Sequence, residues 1–418
     1  MTLEEVLKEA ARLVTPSEEE ERIVKEISQS VKELVSQIIR EEGVNAEVEV
    51  YGSSARGTWL PGQRDIDVFV VMSDRGRSPE DVVRLLTRRF SELGLDWTLR
   101  YAQHPYVTLH VRSYEVDIVP CYKIQPGERP VTAADRSPLH HKFLVERLKP
   151  EQALEVRLLK RFLQTIGVYG AEVKVEGFSG YLSELLVAYY GSFINVLKAA
   201  TSWRPYRTYI SFYESKAKFK APLIVLDPVD PNRNAAAAVS LTSMSIFILA
   251  ARRFLKRPSL SYFRQEQGDL VEGVNRVEVV YPYPNEPPDV VWGRFKRLGR
   301  ALASWLRECG FRVMRWGVES DERTYVSLIY VIEQTQLAPY VIHRGPPVYD
   351  EAVDKFIEKY LGSDVVGPFV QGTRVYVIKR RRYTEITECI SARLGKGDYN
   401  IRVNLYSGEL VRKNPWIT

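Results

Sequence analysis

The sequence predicts an α+β protein of several domains, and three observations support this prediction. The chain has 418 residues, which is too long for one ordinary domain. Hydrophobic residues make up 45% of the chain and charged residues 27%, so a large core is available and global disorder is excluded. Helical patterns fill the first fifty residues, strand patterns dominate the next stretch, and a helical middle section follows.

The first part of the chain is predicted to place helices on one face of a small mixed sheet. Thr15 is the predicted N-cap of a long helix, with Pro16 at its first position and Glu18 closing a capping box. Gly43 ends that helix. The remaining elements predicted here are strands over 46–51 and 66–72, a helix over 79–93, and a hairpin of strands 106–112 and 114–120.

The rest of the chain is predicted to contain a helical section and then a second sheet. Helices are predicted over 153–166, 179–199 and 235–254. A strand over 274–282, a helix over 290–309 and strands over 311–318 and 324–332 resemble part of a ferredoxin-like, RNA-recognition-type sheet. A helix over 350–361 and a strand through 374–378 precede the basic run 379–382.

Composition argues against several classes of protein. Cys121, Cys309 and Cys389 lie far apart, which argues against a disulfide framework and against a thiolate zinc site. The most apolar run, 235–251, carries four hydroxyl side chains and is slightly short for a membrane span, so a buried helix is expected. The acidic, amphipathic N-terminus is unlike a signal peptide. We therefore expect a cytoplasmic protein that does not contact a membrane.

The charge distribution is uneven along the chain. The net charge is +6, yet residues 1–50 hold 13 acidic and 6 basic side chains, so the remainder is strongly basic. This asymmetry indicates a polyanionic partner. A solvated charged surface is the alternative, and charge by itself does not choose between the two.

The most informative local pattern is a pair of aspartates at the start of an apolar strand. Asp65 and Asp67 are two apart, so they point to the same face of the strand, where their charges repel. Two Mg²⁺ ions bridged by carboxylate oxygens would offset that repulsion. Asp117, in another apolar strand, completes a triad of acids. Glu115 lies on the same face as Asp117, and spacing by itself leaves the choice between them open.

A turn of small residues precedes these acids and is a candidate phosphate site. Gly52 permits close approach of the backbone, and Ser53 offers N–H and hydroxyl donors to a triphosphate. Arg56 can add a charge-assisted contact. Each feature is weak evidence by itself, since a plain turn would look the same. The joint pattern G-S-x-A-R-x-T-x-x-x-G-x-x-D-x-D over 52–67 is much more specific.

This joint pattern resembles the nucleotidyltransferase superfamily of DNA polymerase beta, and later blocks narrow the resemblance to one family. The blocks at 117–122, 135–141, 157–160, 167–170, 177–182, 227–234 and 345–347 look like those of the archaeal, class I CCA-adding enzymes (CCA tRNA nucleotidyltransferases). They occur in order over nearly the whole chain. The resemblance implies template-independent addition of C, C and A to the 3′ end of tRNA from CTP and ATP, with release of pyrophosphate by two-metal-ion catalysis.

The resemblance also implies roles for individual residues. Asp65, Asp67 and Asp117 match the metal-binding carboxylates of the family, and Arg233 matches the arginine that selects C or A together with the tRNA backbone. Asp65 stands where the family often has Glu, and Ser137 where it often has Thr. The residues that match contacts to ATP or CTP are Ser53, Arg56, Ser137, His140, Lys160 and Tyr169. Without the family, His140, Lys160 and Tyr169 would be interpreted as ordinary surface or packing residues.

The resemblance further implies a domain plan and partners. The expected parts are a catalytic head over 1–147, a helical neck over 148–268, a ferredoxin-like RNA-binding body over 269–338 and an α/β tail with the remainder of the body over 339–418. The C-terminal parts are expected to bind tRNA, with the run 379–382 on phosphates, and to form a homodimer. Tryptophans and tyrosines beside basic residues, such as Trp292, Trp305 and Trp316, could stack on bases or pack in the core.

Three alternatives compete with this hypothesis. A poly(A) polymerase and an antibiotic nucleotidyltransferase share the superfamily motif, but the blocks in the middle and C-terminal parts of the chain argue against both. An inactive RNA-binding or scaffolding relative is the third alternative. Such a protein has little reason to keep three mutually repelling acids, Asp65, Asp67 and Asp117.

Overall fold

The structure is a computed structural model, and it describes residues 1–101, 104–215, 217–264 and 274–403 together with 269, 271 and 410. The chain divides near residue 266 into two compact units. The first unit contains a five-stranded sheet and a helical part, and the second contains two smaller sheets with helices. The α+β class is therefore confirmed.

Two helices open the first unit, α1 (Leu3–Val14) and α2 (Glu18–Glu41). The prediction of Thr15 as the N-cap of the long helix is wrong by two residues. Ser17 is the N-cap, and Glu20 rather than Glu18 completes the capping box by accepting from the Ser17 backbone N–H at 3.0 Å. Thr15 instead ends α1, where its hydroxyl donates to the carbonyl oxygen of Ala11.

A five-stranded sheet follows, in the order β1-β2-β5-β4-β3. Its elements are β1 (Ala46–Tyr51), α3 (Gly52–Arg56), β2 (Asp65–Met72), α4 (Pro79–Glu92), β3 (Trp97–Tyr101), β4 (Pro105–Val111) and β5 (Tyr114–Tyr122). β2 and β5 are parallel neighbours, and the other strand pairs are antiparallel. The hairpin turns at Arg112 and Ser113 as predicted, whereas β3 was not predicted.

The two faces of this sheet have different environments. Ile66, Val68 and Val70 pack into the core cluster that also holds the apolar sides of α2 and α4. Phe69 and Val71 pack with Cys121 in a smaller cluster. Because side chains alternate along a strand, Asp65 and Asp67 share the face of Phe69 and point away from α2 and α4. The helices therefore leave this face of the sheet available for a site.

The helical part consists of α5 (Ser137–Arg147), α6 (Gln152–Thr165), α7 (Gly180–Tyr190), α8 (Phe193–Ala200) and α9 (Leu241–Lys256), together with the short strands β6 (Thr208–Ile210) and β7 (Leu223–Val225). The single helix predicted over 179–199 is in fact α7 and α8. Gly191 ends α7 with a φ of +91°, and the Ser192 side chain caps α8. The helix predicted from 235 begins only at Leu241, because Ser240 is its N-cap.

The second unit contains a four-stranded sheet in the order β14-β8-β10-β9 and a three-stranded sheet in the order β11-β13-β12. Its elements are β8 (Asn275–Pro282), α10 (Pro288–Cys309), β9 (Val313–Ser320), β10 (Tyr325–Ile332), β11 (Tyr340–Pro347), α11 (Ala352–Tyr360), β12 (Val365–Gln371), β13 (Arg374–Arg380), α12 (Ile386–Leu394) and β14 (Asn400–Val403). The predicted succession of strand, helix, strand and strand occurs as β8, α10, β9 and β10. β11, β12, α12 and β14 were not predicted.

One expectation from the cysteines is wrong. Cys309, the last residue of α10, and Cys389 in α12 form a disulfide that closes a loop of 80 residues. Large sequence separation does not prevent pairing, because α10 and α12 pack in one hydrophobic cluster that brings their sulfur atoms together. Cys121 is a free, buried thiol.

The tryptophans of the second unit take packing roles. Trp292 is buried. Trp305 donates its indole N–H to the carbonyl oxygen of Cys389 at 2.9 Å, and the ring of Trp316 packs so closely on Gly299 that a Cβ there would lie 2.8 Å from it. Core packing is therefore favoured over base stacking for these three side chains. No helix among the described residues is long and apolar enough to cross a membrane.

Candidate active site

Four carboxylates lie on the open face of the first sheet, where β2 and β5 run side by side. The parallel register places Asp67 beside Asp117 and Asp65 beside Glu115. Neighbouring residues in register on parallel strands point to the same face, so all four acids converge there. The strand pairing thus brings the sequence-predicted triad together from two segments that are 50 residues apart in the chain.

Asp67 is the most strongly perturbed of the predicted metal ligands. Burial, the charge of Asp117 and the charge of Asp65 together raise the pKa of Asp67 to about 6. Among the described residues no donor hydrogen-bonds to its carboxylate. Gly52 lies directly against it: a Cβ at this position would stand 2.1 Å from Asp67 Oδ2, and the backbone has a φ of +75°. Only glycine fits at position 52 with the aspartate in this place.

The structure distinguishes Asp117 from Glu115, which spacing had left open. Glu115 forms an ion pair with Arg100 at 2.6 Å, and that contact lowers its pKa. Asp117 accepts a hydrogen bond from the Thr108 hydroxyl at 2.6 Å, and its pKa is raised by burial. The charge of Glu115 is therefore already balanced within the protein, whereas Asp117 faces the uncompensated Asp67. This geometry favours Asp117 as the third ligand.

The donor set fits a divalent metal ion. Carboxylate oxygens are the ligands that Mg²⁺ prefers, and the mutual repulsion of Asp65, Asp67 and Asp117 is what a bound cation would relieve. Within the described part of the chain, no three acidic or histidine side chains already stand close enough to form a preformed metal cage. The carboxylates would therefore turn toward one another on binding.

Mg²⁺ is expected to stabilise the protein more at about pH 8 than at about pH 5. The pKa of Asp67 is raised to about 6, so its charged form opposes folding, and this loss of stability grows as pH rises through 6. Once charged, the carboxylates bind the cation and the penalty is removed. Melting curves with Mg²⁺ and with chelator at both pH values check this. An equal shift at the two pH values would contradict the assignment of Asp67 as a ligand.

Arg56 and Lys160 meet in a buried network beside the acids. Arg56, the last residue of α3, donates to the carboxylate of Glu184 at 2.7 Å and 3.2 Å. Lys160 on α6 is 1% exposed and donates to the carbonyl oxygen of Thr58 at 2.9 Å. Ser53 lies in α3 with its carbonyl oxygen accepting from the Thr58 N–H at 3.0 Å. The structure therefore brings Ser53, Arg56 and Lys160 together around one turn.

Tyr169 lies beside Lys160 in this network. Ser137 lies outside the network, at the start of α5. A Cβ on Gly180 would lie 3.1 Å from the Tyr169 hydroxyl and 3.6 Å from Lys160 Nζ, so these two side chains converge on the start of α7. Burial raises the pKa of Tyr169 to about 12. Ser137 begins α5, one turn before His140, and no hydrogen bond joins its side chain to another predicted site residue among those described.

His140 and Arg233 share one carboxylate, that of Asp227. The His140 ring nitrogen Nε2 lies 2.9 Å from Asp227 Oδ2, and Arg233 donates to the same oxygen. Asp227 is fully buried, and although burial would raise its pKa, His140 and Arg233 hold it at about 2. The Tyr181 ring lies against the His140 ring, with centroids 4.1 Å apart and the planes tilted by 30°, and it lies under the Arg233 guanidinium at 5.8 Å. Both side chains are thus held in defined orientations.

Sequence reasoning missed Glu184, Asp227 and Tyr181 as members of the site. Asp227 lies within the block 227–234, but the sequence assigns no role to it. Glu184 could have been found from its position in the mostly apolar segment 182–187, because a charged residue in a buried helix needs oppositely charged or hydrogen-bonding partners. Tyr181 carried no separate signal, because an aromatic residue at the start of a helix is common.

Paired acids on adjacent strands beside a Gly-Ser turn define the nucleotidyltransferase class of protein. A family model described as nucleotidyltransferase domain matches residues 24–140. Two more models match later parts of the chain: tRNA nucleotidyltransferase, second domain, over 154–264, and CCA-adding enzyme, C-terminal domain, over 272–399. The chain belongs to the CCA-adding enzyme family.

Full-length relatives support this membership. The chain is 72% identical over 417 residues to the CCA-adding enzyme of Pyrobaculum aerophilum, with 100% of both chains covered. It is 38% identical to the CCA-adding enzyme of Sulfurisphaera tokodaii, covering 100% of this chain and 97% of that one. A mutant of the Cid1 poly(U) polymerase bound to MgATP has a TM-score of 0.51 at 15% identity, covering 62% of this chain and 98% of that chain. This last likeness shows the fold alone.

Proposed function

We propose that this protein adds C, C and A to the 3′ end of tRNA from CTP and ATP, without a nucleic-acid template, and releases pyrophosphate. The main support for this function is the pairing of Asp67 with Asp117 on parallel strands, in a chain that is 72% identical over 417 residues to a CCA-adding enzyme. Proteins of this kind synthesise or repair the CCA terminus.

The carboxylates provide the chemistry at the reacting bond. Two Mg²⁺ ions held by Asp65, Asp67 and Asp117 would lower the pKa of the tRNA terminal hydroxyl and stabilise the departing pyrophosphate. The Asp67 carboxylate packs against Gly52, and the Asp117 carboxylate accepts a hydrogen bond from the Thr108 hydroxyl. Both acids lie where β2 and β5 adjoin.

Side chains around the Gly-Ser turn are proposed to bind the nucleotide. Ser53 and Arg56 contact the triphosphate, and Ser137, His140, Lys160 and Tyr169 complete the pocket around triphosphate and sugar. Lys160 is 1% exposed in this structure, so its contact requires movement of the turn that carries Thr58.

Arg233 is proposed to select C or A. Its side chain is 36% exposed while one nitrogen is anchored on Asp227, which supports a guanidinium that presents its remaining donors in a fixed direction. A fixed pattern of donors can recognise acceptors that two different bases share.

The proposal also divides the chain into four parts with separate roles. A catalytic head over 1–147, a helical neck over 148–268, a ferredoxin-like body over 269–338 and a tail over 339–418 would divide catalysis from tRNA binding. The basic run 379–382, at the end of β13, would contact tRNA phosphates, and the C-terminal region would form a homodimer.

Extension of a tRNA that lacks its CCA terminus tests the proposed function. With Mg²⁺, CTP and ATP, the protein should add three nucleotides and stop, and the product should be sequenced at its 3′ end. Unlimited addition of A would indicate a poly(A) polymerase instead, and transfer to a small drug would indicate an antibiotic nucleotidyltransferase.

A further inference from the structure

Glu184 is a charged side chain in an unusual place. It lies in the middle of α7, within a run of six buried residues from Leu182 to Val187, and its own side chain is 1% exposed. Removing a carboxylate from water costs roughly several kcal/mol of folding free energy, unless nearby cations and hydrogen bonds compensate for the lost hydration. The residues around Glu184 therefore have to supply that compensation.

Three side chains from outside α7 supply it. Arg56 approaches with two nitrogens, Nη2 at 2.7 Å and Nε at 3.2 Å, in the two-pronged geometry that suits a carboxylate. The Thr58 hydroxyl donates to Oε1, and Lys160 Nζ lies 4.0 Å from the same oxygen. Burial by itself would raise the pKa of Glu184, yet Lys160 and Arg56 hold it below its ordinary value.

The geometry leaves Arg56 with a defined set of free donors. A guanidinium has five N–H groups. Two of them point to Glu184 and one points to His141 Nδ1 at 3.2 Å, so two have no partner among the residues that the structure describes. Because the fork is planar and held on both sides, the direction of the remaining N–H groups is fixed. The side chain is 11% exposed, so only a small part of the guanidinium can reach solvent or a ligand.

We propose that Glu184 is a positioning residue for the nucleoside triphosphate: it holds the Arg56 guanidinium so that its two free N–H groups face the phosphates. The inference rests on the proposed function, since it gives the triphosphate as the ligand of Arg56. Lys160 contributes the second cation that keeps Glu184 charged, so the carboxylate links the Gly-Ser turn to α6 and α7. A glutamine would keep the shape but lose the charge that orders the arginine.

The test is a double-mutant cycle on CTP binding. Glu184→Gln should raise the dissociation constant for CTP, measured with Mg²⁺ and without tRNA, by about tenfold. This corresponds to a loss of about 1.4 kcal/mol of binding free energy. In an Arg56→Ala background the same substitution should have no further effect, because Glu184 acts through Arg56. Equal effects of Glu184→Gln in both backgrounds, or no effect in either, would overturn the inference.

Two further measurements separate positioning from loss of fold. Glu155→Gln is the matched control: Glu155 lies on α6 and accepts from the Phe193 backbone N–H at 2.8 Å, so this change should leave CTP affinity unchanged. Glu184→Asp keeps the charge and should recover part of the affinity, as judged on variants whose circular dichroism matches the wild type. A Glu184→Asp protein as weak as Glu184→Gln would contradict the role of the charge.

Failure of the Glu184 inference and failure of the proposed function would give different results. If the wild type fails to extend tRNA but binds CTP, the proposed function fails while the binding cycle still decides the role of Glu184. If the wild type extends tRNA and the cycle is additive, the inference alone fails. In extension assays the expected signature of Glu184→Gln is a raised KM for CTP and ATP with a smaller change in kcat.

Discussion

Replacing Asp67 with alanine will abolish nucleotide incorporation while tRNA binding stays nearly intact. Asp67 is a predicted metal ligand, and its carboxylate lies against Gly52 and beside Asp117. Loss of a group that stabilises charge in the transition state reduces turnover by about 10³-fold or more. Asp117→Ala should act in the same way. Single-turnover incorporation and a tRNA gel-shift titration measure the two quantities.

The control for this prediction is Asp74→Ala. Asp74 is an exposed aspartate after β2 whose carboxylate accepts from the Gly76 backbone N–H, so its removal should leave incorporation unchanged. A second consequence concerns stability. Because Asp67 is repelled by Asp117 and Asp65, metal-free Asp67→Ala should melt no lower than the metal-free wild type near pH 8. Incorporation by Asp67→Ala at the wild-type rate would refute the assignment of the metal ligands.

Reducing the bond between Cys309 and Cys389 will lower the free energy of unfolding of the second unit by about 4 kcal/mol. The bond closes a loop of 80 residues, and constraint of the unfolded chain by a loop of that length is worth roughly this amount. Cys389 is fully buried, so the native helices also pack around the bond. Denaturant unfolding with and without reductant measures the difference.

Cys309→Ser provides the control for the disulfide. This variant should lose stability in the absence of reductant and should then be insensitive to reductant, since no bond remains to be broken. A wild type whose unfolding midpoint does not move with reductant would show that the bond contributes nothing to stability.

Elements with strong local signals were predictable from the sequence. β2 and β5 are apolar runs, and α4 begins with Pro79, so each was found close to its observed bounds. The division of 179–199 into two helices depends on the left-handed backbone at Gly191, which a periodic pattern hides. β11 and β12 were missed because each carries an X-Pro bond and exposed apolar residues that break the alternation.

The site was predictable to the extent that it is local in sequence. Asp65 and Asp67 form a pattern within one strand, and repulsion between them points to a cation. Glu184 and Asp227 are different, because each acts on side chains that the fold brings from other segments: Arg56 is 128 positions from Glu184. The disulfide was missed for the same physical reason, since only the packing of α10 on α12 brings its sulfurs together.

The most direct test of the central claim supplies the nucleotides one at a time. With CTP alone and a tRNA that lacks its CCA terminus, the account predicts that the protein adds two C residues and stops. With ATP alone and a tRNA that ends in CC, it predicts a single A and then no further growth. A run of many identical nucleotides in either reaction, or equal extension of an RNA unrelated to tRNA, would contradict the account.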